Sequence, residues 1–567
     1  MSEGYCTRIN QLKSSELVAS NLVGADVRAV FGLPGHTTLG LLDAIYKEPR
    51  LRFVLVKNEQ AASCMADGYA RASGRHGVCL SHVGPGSANM LVGVASAFRD
   101  SSPMVALLCD EDSGGLGRDV FQEWDQVGVY SKVTKWAAQA RSAKEVSRLM
   151  RLAFVRSMMG RPGPVAVDLP MDVLNDEVPE GSVEKLPDYG NYSGRVRPDP
   201  AMVKTVADML LKAERPLLVA GGGVVWSEGS RELGELAEGL AIPVAVTHTA
   251  RGTLPDVHPL FAGILGRWGN TTANDLARSA DLIVGIGCRF ADINTLRWSL
   301  LGGDTKLVQV DIDPNEVANQ YPVDVGVVAD AKMFCSDVVS ALKERSKKAE
   351  VSERLESMRA HLKAERDYYL SGEFPEVPIK PQRIVKELTA VLEGGTIVTV
   401  GSGKHPEFAN KVTITEPRTY LKSVGFGSMG WAFPAALGAK VARPERQVAA
   451  LVGDGDFIMS AQELETAVRE KIAAVSVIFN DRSYTSIRRF QKEFYGGRYI
   501  GVDYANPRYD ELARLFGAVG LRVEKPSELR PALQEAFRSG EPAVVDVIVD
   551  PSEFPPVRWG IMGMTRR

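Results

Sequence analysis

The stretch "AALVGDGDFIMSAQELETAVREKIAAVSVIFND", residues 449–481, decides the fold. Residues 449–452 and 474–479 are short apolar runs rich in β-branched side chains, and between them Leu464, Ala467 and Val468 recur at helical spacing. Strand, helix and second strand in this order form a βαβ unit, whose parallel strands end on one edge of a sheet. Ser460 followed by Glu463 matches a capping box, so the helix is expected to begin there, with Asp454 in the loop after the first strand. Asp454 and the pair Asn480-Asp481 are then expected to meet at the carboxyl edge, where open α/β sheets bind ligands. Oxygen-bearing side chains beside glycines, which let a backbone approach closely, suit a hard cation such as Mg²⁺ carrying a diphosphate. Alone, Gly453-Asp454-Gly455 would read as a turn and Asn480-Asp481 as a strand end; their spacing argues for a site.

The rest of the chain sets bounds. Its 567 residues allow roughly two to four domains, and 45% hydrophobic with 24% charged residues is ordinary for a globular protein in solution. A net charge of −3 gives no reason to expect nucleic acid or a membrane surface as the main partner. Cys6, Cys64, Cys79, Cys109, Cys288 and Cys335 are scattered without CxxC spacing, the pattern of reduced thiols. No apolar run is long enough to span a bilayer and the first residues lack a signal-peptide pattern, so a soluble cytoplasmic protein is expected.

Two stretches read as linkers: "PEGSVEKLPDYGNYSGRVRPDP" (179–200) and "RDYYLSGEFPEVPIKPQ" (366–382), the second following a charged run. They leave three blocks in which strands alternate with helical patterns. The strands are "RAVFGLPG", "RFVLVKNE", "GVCLSHVGPG", "MVALLCD" and "GPVAVDLP" in the first block, "PLLVAGGG", "PVAVTHT", "DLIVGIG" and "KLVQVDID" in the second, and "TIVTVG", "AALVGDG", "VSVIFND" and "AVVDVIV" in the third. An α/β protein of three doubly wound parallel-sheet domains is expected, over residues 1–180, 195–345 and 375–550, with a tail at 551–567.

Gly-Asp-Gly, a helix and a polar pair ending 27 residues after Asp454 resemble the signature of thiamin diphosphate enzymes. The resemblance implies a pyrimidine-binding first domain, a central domain and a third domain binding diphosphate and Mg²⁺. It implies that Asp454, Asp481 and the carbonyl of Ser483 hold the metal, with Asp481 departing from the family's asparagine. "FVLVKNEQAASCMADGYARASGR" resembles the segment carrying the activating glutamate, implying that Glu59 hydrogen bonds N1′ of the aminopyrimidine and favours the imino form that removes the C2 proton. In "GFGSMGWAFPAALGAK" Met429 would wedge between the cofactor's rings while the Gly427 carbonyl accepts from the 4′ amino group. Gly403, Lys404 and His405 of "GSGKHPEF" are implied diphosphate contacts, and Pro34, Pro85, Gly453, Gly455 and Asp456 complete the cofactor's surroundings. Because the family shares each cofactor between subunits, a homodimer or homotetramer is implied.

"FGLPGHTTLGLLDAI", "VGPGSANM", "DVFQEWDQVGVYSKVTKW", "GRPGPVAVDLPMDV" and "IKPQ" are most similar to the catalytic subunit of acetohydroxyacid synthase and related carboligases. That resemblance implies decarboxylation of pyruvate and transfer of the resulting acyl carbanion to a second carbonyl compound. It also implies FAD in the central domain, at Arg161, Gly222, Gly223, Thr247, Gly266, Arg267, Arg289, Asp311 and Ile312. Several positions depart from the synthases: Arg267-Trp268 replace a Met-His pair, Ile293 replaces an arginine, and Phe490 replaces a tryptophan that favours 2-ketobutyrate. His36 and His82 replace small or polar loop residues. With Gln122 they are candidate substrate contacts, as are Phe121, Arg267, Trp268, Ser486 and Phe490, and an acceptor other than the usual 2-keto acids is expected. A non-ligating 2-keto acid decarboxylase, a flavin-using pyruvate oxidase and a non-catalytic relative are the alternative readings.

Overall fold

Each block of alternating pattern builds one six-stranded sheet in which all neighbouring strands are parallel. The structure, a computed structural model, describes residues 11–179, 194–343 and 352–554. Cys6, most of the first linker and most of the C-terminal tail lie outside the described residues. The chain divides into two compact units, one ending at Ser193 and one beginning at Gly194.

In the amino-terminal unit the strand order is Arg52–Leu55, Ala29–Gly32, Gly77–Ser81, Met104–Asp110, Pro164–Pro170, Ala137–Gln139. Met104–Asp110 and Pro164–Pro170 are buried at every position, which is why they read as apolar runs broken only by Asp110 and Asp168. The second unit holds two sheets. The central one runs Phe261–Ile264, Val244–Val246, Pro216–Ala220, Leu282–Ile286, Lys306–Asp311, Val325–Val328. The C-terminal one runs Tyr420–Lys422, Ile397–Val400, Val448–Gly453, Val475–Asn480, Ala543–Ile548, Val519–Val523. Numbered within each sheet, the first and third share the order 2-1-3-4-6-5, whereas the central sheet has the dinucleotide-fold order 3-2-1-4-5-6.

Among the described residues seven strands were not evident in the sequence: the antiparallel pair Gln11–Lys13 and Glu177–Pro179, and Ala137–Gln139, Phe261–Ile264, Val325–Val328, Tyr420–Lys422 and Val519–Val523. The last five lie at sheet edges: Ala137–Gln139, Val325–Val328 and Val519–Val523 are only partly covered there, while Phe261–Ile264 and Tyr420–Lys422 are buried but very short. The second expected linker starts too early, since 366–371 is the end of the helix Glu353–Ser371. Leu355 and Met358 of this helix pack into the central core and Tyr369 into the C-terminal core.

Candidate active site

In a doubly wound sheet the strand order reverses at one place, and the loops leaving the two strands there open a crevice. In the first sheet those loops carry His36 and His82; in the central sheet, Gly222, Gly223 and Arg289; in the third, Gly403, Lys404, His405 and Asp454.

The third crevice is a cavity of about 220 Å³ lined by Gly403, Lys404, His405, Gly427, Met429, Gly453, Asp454, Gly455, Asp456, Asp481, Ser483 and Ser486, among others. Gly453 pairs in register with Phe479, so Asp454 and Asp481 leave adjacent strands nearly level. Asp454 is not in a loop as expected: it is the first residue of a short helix, Asp454–Phe457, and the next helix, Glu463–Arg469, begins without the capping box. The Ser460 hydroxyl makes no side-chain cap. One oxygen of Asp454 accepts from the Arg482 amide (2.9 Å) and from Asn506 Nδ2 (2.6 Å). Asp481 accepts from the Ser483 amide (3.2 Å) and Thr485 Oγ1 (2.7 Å). Asn480 donates to Asp546 (2.7 Å) and accepts from Asn506 Nδ2 (3.1 Å), the same group that donates to Asp454.

Burial, reinforced by neighbouring Asp481, pushes the Asp454 carboxyl up to about 7. Burial also raises Asp481, opposed by Thr485 and Lys404. Two such carboxylates and the Ser483 carbonyl are hard oxygen donors facing one cavity, a fit for Mg²⁺, which takes its remaining ligands from water and phosphate. Among the described residues no cluster of three or more His, Cys, Asp or Glu side chains competes as a metal site.

Asp456 organises the cavity wall. Its carboxylate accepts from the Ser402 amide (3.0 Å) and the Gly430 amide, tying two glycine-rich loops to the helix start. Ser402 Oγ in turn donates to the Gly427 carbonyl (2.9 Å), which keeps a second lone pair. Gly455 must be glycine, because a β-carbon would stand 2.5 Å from both the Tyr484 ring and the Tyr504 hydroxyl. His405 is buried against Phe479, and desolvation pushes its imidazole down to about 3. Phe490 is not among the cavity's lining residues and pairs with Phe494, 6.2 Å between ring centres.

In the amino-terminal unit Glu59 opens the helix Glu59–Ser73, with Asn58 capping the Gln60 amide (2.8 Å). Glu59 is 6% exposed and accepts from Asn89 Nδ2 (3.0 Å). His36 Nε2 lies 2.6 Å from Glu111, while His82 is held between Thr37 Oγ1 (2.9 Å) and Gln122 (2.6 Å). The two imidazoles meet edge to face at 4.6 Å, and the exposed Phe121 ring lies beside His36. Pro85 is the first residue of the helix Pro85–Asp100, and Pro34 precedes the turn of His36.

The residues nominated for flavin fall mostly in one row. Gly222 and Gly223, Thr247, Gly266 and Arg267, Arg289, and Asp311 with Ile312 follow or end five adjacent strands of the central sheet at its carboxyl edge. That row, and the buried His248 whose Nδ1 has no hydrogen-bond partner, fit a long polar ligand. Gly223 and Gly266 also have a packing reason: β-carbons there would stand 2.7 Å from Gly287 Cα and 2.2 Å from the Ile293 carbonyl. Arg161 lies in the other unit, bonded to Ser101 Oγ at 2.8 Å. Trp268 accepts at its carbonyl from Asn410 Nδ2 (2.8 Å), and its ring carries Lys422 at 4.3 Å.

Three family models match this chain: the N-terminal TPP binding domain of thiamine pyrophosphate enzymes over residues 12–129, their central domain over 203–342, and their C-terminal TPP binding domain over 401–547. The chain belongs to the thiamin diphosphate enzymes. Within them it is acetolactate synthase-like. It is 37% identical to a probable acetolactate synthase large subunit of Methanocaldococcus jannaschii, over 96% of this chain and 93% of the relative. It is 35% identical to the acetolactate synthase large subunit of Haemophilus influenzae, over 96% of each chain. The isozyme 3 large subunit of Escherichia coli is 33% identical over 96% of each.

Reading the sequence missed Asn89, Glu111, Thr37, Asn506 and Tyr504. Each acts by touching a site residue distant in sequence, and no local pattern marks it. No helix among the described residues is long and apolar enough to cross a membrane.

Proposed function

We propose that this enzyme decarboxylates pyruvate, or a similar 2-keto acid, and transfers the acyl group to a second carbonyl compound, with an acceptor pocket unlike that of the standard synthases. The cavity where Asp454, Asp481 and Ser483 face Gly427 and Met429 carries this reading. Bound thiamin diphosphate supplies a nucleophilic carbon and takes up the electron pair left as CO₂ departs. Asp454, Asp481 and the Ser483 carbonyl would hold Mg²⁺ against its diphosphate, beside Gly403, Gly453 and Gly455. Met429 would support the bent cofactor, and the free lone pair of the Gly427 carbonyl would accept from its 4′ amino group. Glu59, fixed by Asn89, would hold a proton at N1′ of the aminopyrimidine.

His36, His82, Gln122 and Phe121 form the acceptor side of this reading, with Arg267, Trp268, Ser486 and Phe490 as further candidate contacts. Its support is the fixed partner on each imidazole: Glu111 engages His36 Nε2 and leaves Nδ1 for a ligand. The reading includes FAD as a structural ligand along the central sheet's edge, supported by the row of residues there; protein purified without flavin absorbance would remove it without touching the ligation chemistry. It also includes a cytoplasmic homodimer or homotetramer, checked by light scattering.

The test is incubation with thiamin diphosphate, Mg²⁺, FAD and labelled pyruvate, with products resolved by mass spectrometry and chiral chromatography while oxygen is recorded. Labelled acetolactate or acetoin without oxygen uptake supports a carboligase. Acetaldehyde alone favours a simple decarboxylase, oxygen-dependent acetate or acetyl phosphate favours an oxidase, and no CO₂ means that pyruvate is the wrong donor or that the protein is a non-catalytic relative.

A further inference from the structure

Asp481 brings a second carboxylate to a metal site whose family pattern has one, and Lys404 stands beside it. The Lys404 ammonium is 3.9 Å from Asp481 Oδ2, with the two side chains 5% and 10% exposed. From its other side Lys404 donates to the carbonyls of Asp550 (3.2 Å) and Pro551 (3.1 Å) and lies over the Phe554 ring at 4.6 Å. These contacts, made just beyond the strand Ala543–Ile548, hold the ammonium near Asp481 without any help from a ligand.

Charge accounting gives the pairing a reason. With one aspartate, a bound Mg²⁺ keeps one positive charge for the diphosphate. With Asp454 and Asp481 both ionised, the metal is neutralised and the diphosphate would enter a buried cavity with no net attraction, a costly burial. A buried lysine beside Asp481 restores the missing charge. We infer that Lys404 is a positioning residue that compensates Asp481, so that Lys404 and Asp481 act as one unit equivalent to a neutral pair at the same positions. Lys404 thus acts on the diphosphate through the carboxylate it neutralises, not as an independent clamp.

The test is a double-mutant cycle of Lys404→Gln and Asp481→Asn, read by calorimetric titration of thiamin diphosphate into cofactor-free protein at saturating Mg²⁺, with thermal melting of each variant. Lys404→Gln alone should weaken binding by about tenfold or more, leaving two carboxylates uncompensated. Adding Asp481→Asn should restore binding to within about threefold of the parent, since the exchanged pair is again neutral. Equal losses on Lys404→Gln with and without the Asp481→Asn substitution would show that Lys404 contacts the diphosphate directly, and would overturn the inference. So would a double variant that fails to fold. If Lys404→Gln alone does not fold but the double variant folds and binds, the pairing stands. The titration uses no substrate, so an error in the proposed acceptor chemistry would appear in the product analysis and leave this result intact.

Discussion

Gly86 gives Glu59 its room: a β-carbon on Gly86 would stand 3.1 Å from Glu59 Oε1 and 3.4 Å from His82 Cβ. The helix Pro85–Asp100 would itself favour alanine there, by up to about 1 kcal/mol. Gly86→Ala is therefore expected to leave the melting temperature nearly unchanged while shifting the Glu59 carboxylate by a few tenths of an ångström. Turnover should fall about tenfold, within the range a misplaced catalytic group costs. Steady-state kinetics beside a thermal melt check this, and unaltered turnover would show that the carboxylate has slack.

Glu59→Gln keeps an oxygen for Asn89 and removes the carboxyl group that can take up and release a proton. Thiamin diphosphate should still bind with near-parent affinity, and turnover should drop by about 10² or more. Undiminished activity would sink the assignment.

Asp454→Ala should act on binding first. It removes a proposed metal ligand, leaves the Arg482 amide without its acceptor and takes one of the two acceptors of Asn506 Nδ2. Calorimetry should show Mg²⁺ and cofactor affinity reduced by about tenfold or more; normal affinity would refute the ligand role.

Asp456 tests whether the cavity wall depends on one carboxylate. Asparagine offers one acceptor oxygen where the Ser402 and Gly430 amides need two. Asp456→Asn is expected to cost about 1–3 kcal/mol of stability for the orphaned amide. Cofactor affinity should fall with it, since Ser402 and Gly427 are linked by a hydrogen bond; parent affinity in a destabilised protein would separate the two effects.

His76 supplies a pH signature away from the site. Burial depresses its imidazole from 6.5 to about 4, partly opposed by its bond to the Phe154 carbonyl. The folded unit binds fewer protons than the unfolded chain between those values, so the stability contribution is fully present above pH 6.5 and is lost as pH falls towards 4. The loss is at most about 3 kcal/mol. Chemical denaturation of the amino-terminal unit at pH 7.5 and 5 should show a smaller drop for His76→Gln than for the parent; equal drops would exclude His76 as the cause.

What could be read from the sequence follows from what is local. The βαβ unit around Asp454 was legible because buried parallel strands are continuous apolar runs, and Gly453-Asp454-Gly455 marks where the strand gives way directly to a helix. Edge strands such as Val325–Val328, with alternate residues exposed, carry no such mark. The capping box at Ser460 failed because Asp454 nucleates its own short helix first, and the chain turns before Glu463. Asn89 lies 30 residues from Glu59 and Asn506 lies 52 from Asp454, distances at which only the fold supplies the neighbour. The resemblance offered Lys404 as a diphosphate contact; its pairing with Asp481 was not legible, because nothing local relates two loops 77 positions apart.

The helix Glu353–Ser371 gives its amino-terminal end to the central core and its carboxyl-terminal end to the other. A chimera that exchanges the central domain with that of a relative would therefore cut through shared packing wherever its junction fell inside this helix. Donor and recipient would have to agree at Leu355, Met358 and Tyr369 together, so the segment is best inherited whole, and the central and C-terminal domains should melt in a single calorimetric transition.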